Sequence, residues 1–164
     1  MAIGTADVWK SINAAWDASS LDDLFRAVKS PTASHLVLHD QEASPGQDYP
    51  YCVIGLFSPQ TVSRMSGGSD RLREVRDAQV TFNVHAEEVG GDSRSVKQIA
   101  AYLAEEIMKV FGGHPTTTAT AVMTLDNGNV LICEYQTDYG VRINDDEVTW
   151  VVSYRIQTDV PVTA

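Results

Sequence analysis

Apolar residues recur along the chain in two rhythms, and each change of rhythm marks an element. Val8, Trp9, Ile12, Ala15 and Trp16 fall at helical spacing, which predicts a first helix with Thr5 placed to cap it. The pattern restarts after Ser19 and Ser20 with Leu21, Leu24, Phe25 and Val28; Ser20 and Asp23 stand at capping-box spacing, and Pro31 ends the run. From His35, HLVLHD reads as a short extended piece, and the Pro-Gly pair of QEASPGQD marks a turn. The most apolar run follows, YPYCVIGLFSP over 49–59, with a strand expected over 50–58. Extended, it points Tyr51, Val53 and Phe57 one way and Cys52, Ile54 and Leu56 the other, so neither face suits water.

AQVTFNVHAE has the clean period of a half-buried antiparallel strand, with Ala78, Val80, Phe82, Val84 and Ala86 on one side. Between the two strands, SPQTVSRMSGGSDRLREVRD is too long and too polar for a tight hairpin and reads as a loop. The clearest helix spans Ser93 to Phe111, with Val96, Ile99, Leu103, Ile107 and Val110 as its stripe, Asp92 to cap it and Gly112 and Gly113 to end it. The remainder is extended: TAVMTL, a hairpin signal at DNGN, VLICEYQTD, a turn at INDD, and EVTWVVSYRIQTD, where Val148, Trp150, Val152, Tyr154 and Ile156 share a face. This order predicts an α+β fold, a mainly antiparallel sheet of four or more strands with helices packed on one face. The expected organisation is a single domain over 1–164: an N-terminal helical segment 6–30, an α+β core 35–158 and a short C-terminal tail 159–164. Strand order is left open.

Composition narrows the function. A hydrophobic share of 43% and a charged share of 21% are ordinary for a globular chain. No apolar run approaches the roughly 20 residues that span a bilayer, so no membrane partner is expected. The N-terminus lacks the basic and apolar regions of a secretory signal, which predicts a cytoplasmic site of synthesis and assembly. A net charge of −10 disfavours tight nucleic-acid binding, which depends on Lys and Arg displacing counterions from phosphates. It does not forbid DNA from passing nearby. Cys52 and Cys133 lie inside strand-like runs at no zinc or redox spacing, and buried free thiols are expected.

A search for chemistry finds none. His35 and His39 flank LVL in an extended segment, where they would stand about 13 Å apart, too far for one metal. GxSxG, GxxxxGK[ST] and GxGxxG are absent. Cys52 sits mid-strand without the electropositive, accessible surroundings that make a thiolate. The acidic pairs Glu87-Glu88, Glu105-Glu106 and Asp145-Asp146 read as solvated faces and turns. No catalytic residue, metal or cofactor is therefore expected, and the chain is read as a non-enzyme.

Surfaces are more informative. Arg64, Arg71, Arg73 and Arg76 supply half of all arginines within thirteen positions, which in an acidic chain suits them to acidic partner surfaces; a solvated hairpin tip is the plainer alternative. The three tryptophans read first as packing residues. The doubly apolar strand fits helices on one side and, on the other, through Tyr51 and Phe57, either the N-terminal helices or another copy of the subunit.

The succession of an N-terminal helix, the Tyr-Pro-Tyr opening of an apolar strand in YPYCVIG, a long polar connection, AQVTFNVHA, the helix SVKQIAAYLAEEIMKVF and a final strand with Tyr154-Arg155 in WVVSYRIQTD resembles the tail-terminator (tail-completion) proteins of long-tailed bacteriophages. The resemblance covers about Val8 to Thr158; two tryptophans near the N-terminus and the HLVLHD piece exceed the minimal family pattern. It implies a ring of six subunits in the virion neck, at the head-proximal end of the tail tube. Such a ring stops tube growth and offers a docking surface to the head connector or stopper, while viral DNA passes through its channel without specific binding. The expected partners are thus further copies of the chain, the tail tube protein and the connector. Carboxylates lining the channel would let DNA slide without sticking. A neighbouring neck or head-closure (stopper) protein is the near alternative, although the helix from Ser93 argues against the largely β-barrel members of that class. A small-molecule-binding α+β module is the distant one, for which the chain offers only Asn83 and His85 on the solvent side of one strand.

Overall fold

The two N-terminal periodicities become helices α1 (Thr5–Asp17) and α2 (Leu21–Lys29). The computed structural model describes residues 5–40, 43, 46–67, 71–126 and 128–161, and within them all side chains except those at 5, 6, 57–67, 71–73, 160 and 161. Val8, Ile12, Ala15 and Trp16 of α1 and Leu21 and Phe25 of α2 are buried, as their spacing requires. Ser20 precedes α2 without a side-chain capping bond; the Ser19 hydroxyl instead accepts from Leu21 N at 3.3 Å.

Five strands follow, β1 (Leu38–His39), β2 (Tyr51–Gly67), β3 (Arg71–Glu87), β4 (Asn129–Arg142) and β5 (Glu147–Pro161), with α3 (Val96–Phe111) between β3 and β4. They form one sheet in the order β1-β2-β3-β5-β4. Only the two-residue β1 pairs parallel; the other neighbours are antiparallel. The chain is thus an α+β protein with helices over one sheet face. That face is built from the alternate residues Ala78, Val80, Phe82, Val84 and Ala86 of β3 and Val148, Val152, Tyr154 and Ile156 of β5, all buried.

Aromatic rings tie the layers together. Trp16 packs edge-on against Phe25 at 5.7 Å between centroids and stacks on Phe82 at 6.0 Å; Phe82 in turn meets Phe111 at 4.8 Å and Tyr154 at 5.7 Å. The polar tips of these side chains are satisfied: Trp16 Nε1 donates to Asp22 at 2.7 Å, and the Tyr154 hydroxyl to Gly112 O at 2.5 Å.

Helix α3 starts later than its sequence pattern suggested. Its cap is Ser95, not Asp92: Ser95 Oγ accepts from Gln98 N at 3.2 Å, and Gln98 Oε1 accepts from Ser95 N at 2.9 Å, a complete capping box. Asp92 is drawn to Arg94, whose Nε and Nη2 donate to it at 3.1 and 2.8 Å, and these bonds hold its carboxyl down to about 2. At the other end Gly112 and Gly113 take φ of 120° and 97°, a left-handed course that favours glycine.

TAVMTL is not a strand. Thr120 N and Ala121 N bond to Val110 O at 3.1 and 2.8 Å, while Ala121, Met123 and Leu125 lie partly buried against the core. The alternation is real, but its apolar side rests on the core without joining the ladder. DNGN makes a tight turn at the Leu125 to Gly128 bridge, with Asn127 itself outside the described residues. No helix among the described residues is long and apolar enough to cross a membrane.

Candidate assembly surfaces

The segment expected to be a polar loop is mostly ladder. β2 and β3 pair from Tyr51 opposite His85 to Gly67 opposite Arg71, and β5 accompanies β3 as far as Arg73 opposite Pro161. The alternation is hidden by two register shifts, between Phe57 and Gln60 and between Thr61 and Ser63. Pro59, which has no N–H to give, falls in the first of them. Residues 68–70 of the MSGGSD stretch lie outside the described residues.

The six residues singled out from the sequence are therefore strand residues. Arg64 stands opposite Glu74, Arg73 opposite Met65, Arg71 opposite Gly67 and Phe57 opposite Gln79; the side chains of these four lie outside the described set. Arg76 bonds inward along its own strand, Nε and Nη2 donating to Glu74 Oε2 at 3.0 and 2.9 Å, and Glu74 is only 3% exposed. Tyr51 is 9% exposed. Its ring stacks on His85 at 4.7 Å and meets His39 at 5.5 Å and Tyr49 at 5.1 Å, so this end of β2 is covered from within the protomer. On the core side Cys52 and Ile54 are buried, as expected.

Polar and acidic groups gather on the helix-free face of the sheet along β3 and β5. Asn83 Nδ2 donates to Val53 O at 3.1 Å and to Thr81 Oγ1 at 3.2 Å. His85 Nδ1 lies 3.0 Å from Thr149 Oγ1 and 3.9 Å from Glu147 Oε1; burial lowers its pKa despite that carboxylate. Arg155 donates from Nε and Nη2 to Asp77 at 3.2 and 2.9 Å and approaches Glu134 at 3.8 Å, while Gln157 gives Asp77 a further bond at 3.1 Å. By strand register, Asp77, Glu87, Glu134, Glu147 and Asp159 share this face with Arg155.

The same face changes character at β4, the last strand of the sheet, where Ile132, Tyr139 and Val141 stand by register opposite Gln157, Val151 and Thr149. Leu131, Ile132, Tyr139 and Val141, with Ile143 just beyond the strand, are 40 to 55% exposed. Each is ordinary for a strand, and only the position of β4 at the end of the sheet makes them conspicuous. Across the strand, Trp150 Nε1 donates to Asp138 Oδ2 at 2.8 Å, and the Tyr135 hydroxyl bonds to the other oxygen of the same carboxylate.

For chemistry there is little material. Burial lifts the Cys133 thiol to about 11 and Cys52 further, so both stay protonated at neutral pH. Among the described residues no three His, Cys, Asp or Glu side chains are grouped to hold a metal ion. His35 Nε2 lies 2.8 Å from Pro50 O and His39 Nε2 3.2 Å from Leu36 O, so the two rings serve separate backbone sites. A cavity of about 470 Å³ opens beside the start of α3, lined by Arg94, Lys97, Arg142, Glu88 and Asp145 among others. Two of its guanidiniums are already engaged, Arg94 by Asp92 and Arg142 by Asp145 at 3.0 Å. Asn83 and His85 are not among its lining residues.

No family model matches the chain, and no curated protein does. Among solved structures, a chain of the "virion of native gene transfer agent (GTA) particle" is similar at a TM-score of 0.49 and 15% identity, over 94% of this chain and 92% of that one. The likeness is one of backbone course, and no role is drawn from it.

Proposed function

We propose that this chain is a structural virion protein, a tail terminator. Copies of it close a ring on the head-proximal end of the phage tail tube, stop its polymerisation and form the surface on which the head connector docks. The sequence resemblance to that family motivates the reading. The observation that carries it is the asymmetry of the sheet: one face lies beneath helices, and the other is helix-free and rich in carboxylates. Turned toward a channel, Asp77, Glu87, Glu134, Glu147 and Asp159 would repel phosphates and let DNA slide. The distal arm of the β2–β3 hairpin, with Arg64, Arg71 and Arg73, is the part suited to reach an acidic surface on the tube or a neighbouring subunit. In this reading the chain works as a shaped surface and performs no reaction.

The cavity beside α3 favours a second reading, a small-molecule-binding module whose ligand would bear an anionic group toward Lys97. Labelled protein mixed with purified tail tubes separates the two. The terminator reading expects label at one end of each tube by electron microscopy. Label absent from tubes, or spread along their sides, would contradict it.

A further inference from the structure

We infer that the outer edge of β4 in one copy pairs, antiparallel, with the free stretch of β2 in a second copy, so that neighbouring sheets run on as one. This deepens the ring reading and rests on it. β4 has a strand neighbour, β5, on one side, and among the described residues none on the other. It is 14 residues long and contains neither Pro nor Lys, the residues that commonly blunt an open edge. Leu131, Ile132, Tyr139, Val141 and Ile143 make up most of the large apolar side chains exposed among the described residues; the others are Leu36 and Val122. An edge that offers both an unpaired backbone row and apolar side chains is a template for another strand.

The sheet supplies a matching template at its opposite end. β1 covers β2 only at Cys52 and Val53, leaving Ile54–Gly67 without a further strand neighbour among the described residues; Pro59 and two register shifts interrupt this stretch, so Ile54–Phe57 and Ser63–Gly67 are the parts regular enough to pair. Strand direction decides how the two edges meet. β3 runs antiparallel to β2, β5 to β3 and β4 to β5, so β4 opposes β2. A second copy set beside the first in the same orientation therefore brings its β2 against β4 as an antiparallel neighbour, the relation already used three times within the sheet. A two-fold pairing of β4 with β4 would satisfy one edge and leave both β2 stretches open. The head-to-tail contact satisfies both, and repeats until it closes.

Hydrogen exchange on the full chain, free and assembled on tail tubes, tests the pairing. Amides of Asn129–Arg142 and of Ile54–Phe57 and Ser63–Gly67 are expected to exchange at least ten-fold more slowly when assembled, with α1 and α3 unchanged. Protection confined to the helices would overturn the inference, as would protection of β4 alone in a dimer. In parallel, the double substitution Tyr139→Lys and Val141→Lys should keep the thermal midpoint of the free protein and raise at least ten-fold the concentration needed for assembly, whereas Val122→Lys should not. Normal assembly of the folded double variant would overturn it too. Rings that form with β4 unprotected sink this pairing and leave the terminator reading intact; a wild-type chain that never joins a tube sinks both.

Discussion

Gly140 lies beneath the Trp150 indole, where a Cβ would come within 2.6 Å of the ring. Neither the ring, fixed through its bond to Asp138, nor the β4 backbone can yield freely, so Gly140→Ala is expected to lower stability by about 1–3 kcal/mol. An unchanged urea midpoint would refute that contact. His85 makes a pH prediction. Its folded pKa lies below its ordinary value of 6.5, because burial disfavours the imidazolium. Its contribution to stability is therefore complete above about 6.5 and is lost as pH falls from there toward the folded value. The thermal midpoint should drop below pH 6.5 less steeply in His85→Gln than in the parent, and identical slopes would contradict the assignment. Arg76 separates from the other three arginines of its cluster. Arg76→Ala removes two hydrogen bonds to a carboxylate that is 3% exposed and should cost about 1–3 kcal/mol. The joint replacement of Arg64, Arg71 and Arg73 by Ala should leave the fold in place and weaken attachment to tubes. Equal attachment would make that arm mere solvated surface.

Among the elements, those with an uninterrupted period were legible in the sequence. The stripes of α1 and α3, the five-residue alternation of β3 and the inner face of β5 lie against the core where their spacing placed them, with Trp9, Val96, Val110 and Trp150 only partly buried at its margin. Legibility failed where geometry breaks the period or where pairing is decided at a distance. Two register shifts and Pro59 disguised the distal half of β2, while β3 and β5 hold it in the sheet from elsewhere in the chain. TAVMTL has a strand's alternation, but Thr120 N and Ala121 N bond to Val110 O at the end of α3, and among the described residues it joins no ladder. At the start of α3, two residues competed for the cap, and the bond between Asp92 and Arg94 left the role to Ser95. Ser95→Ala should accordingly destabilise the protein by about 1 kcal/mol, measured by chemical denaturation, and Asp92→Ala by less. The reverse order would restore Asp92 as the cap.

For the molecule as a whole, the net charge of −10 was legible from composition, but its placement was not. Register now gathers five carboxylates on the helix-free face, and among the described residues strand order leaves β4 and the distal part of β2 as open edges. Neither follows from local pattern, since side-chain alternation says which residues share a face and is silent on which strand stands last. Tyr51, expected to be offered to a neighbour, is instead held under His85, and the exposed apolar surface lies at the far end of the sheet. The subunits of the proposed ring act by contact alone. The most direct test is the length of tail tubes polymerised from purified tube protein, followed over time with and without this chain. Addition in slight excess over tube ends should freeze the length distribution at the moment of mixing; tubes that continue to lengthen at the control rate would contradict the account.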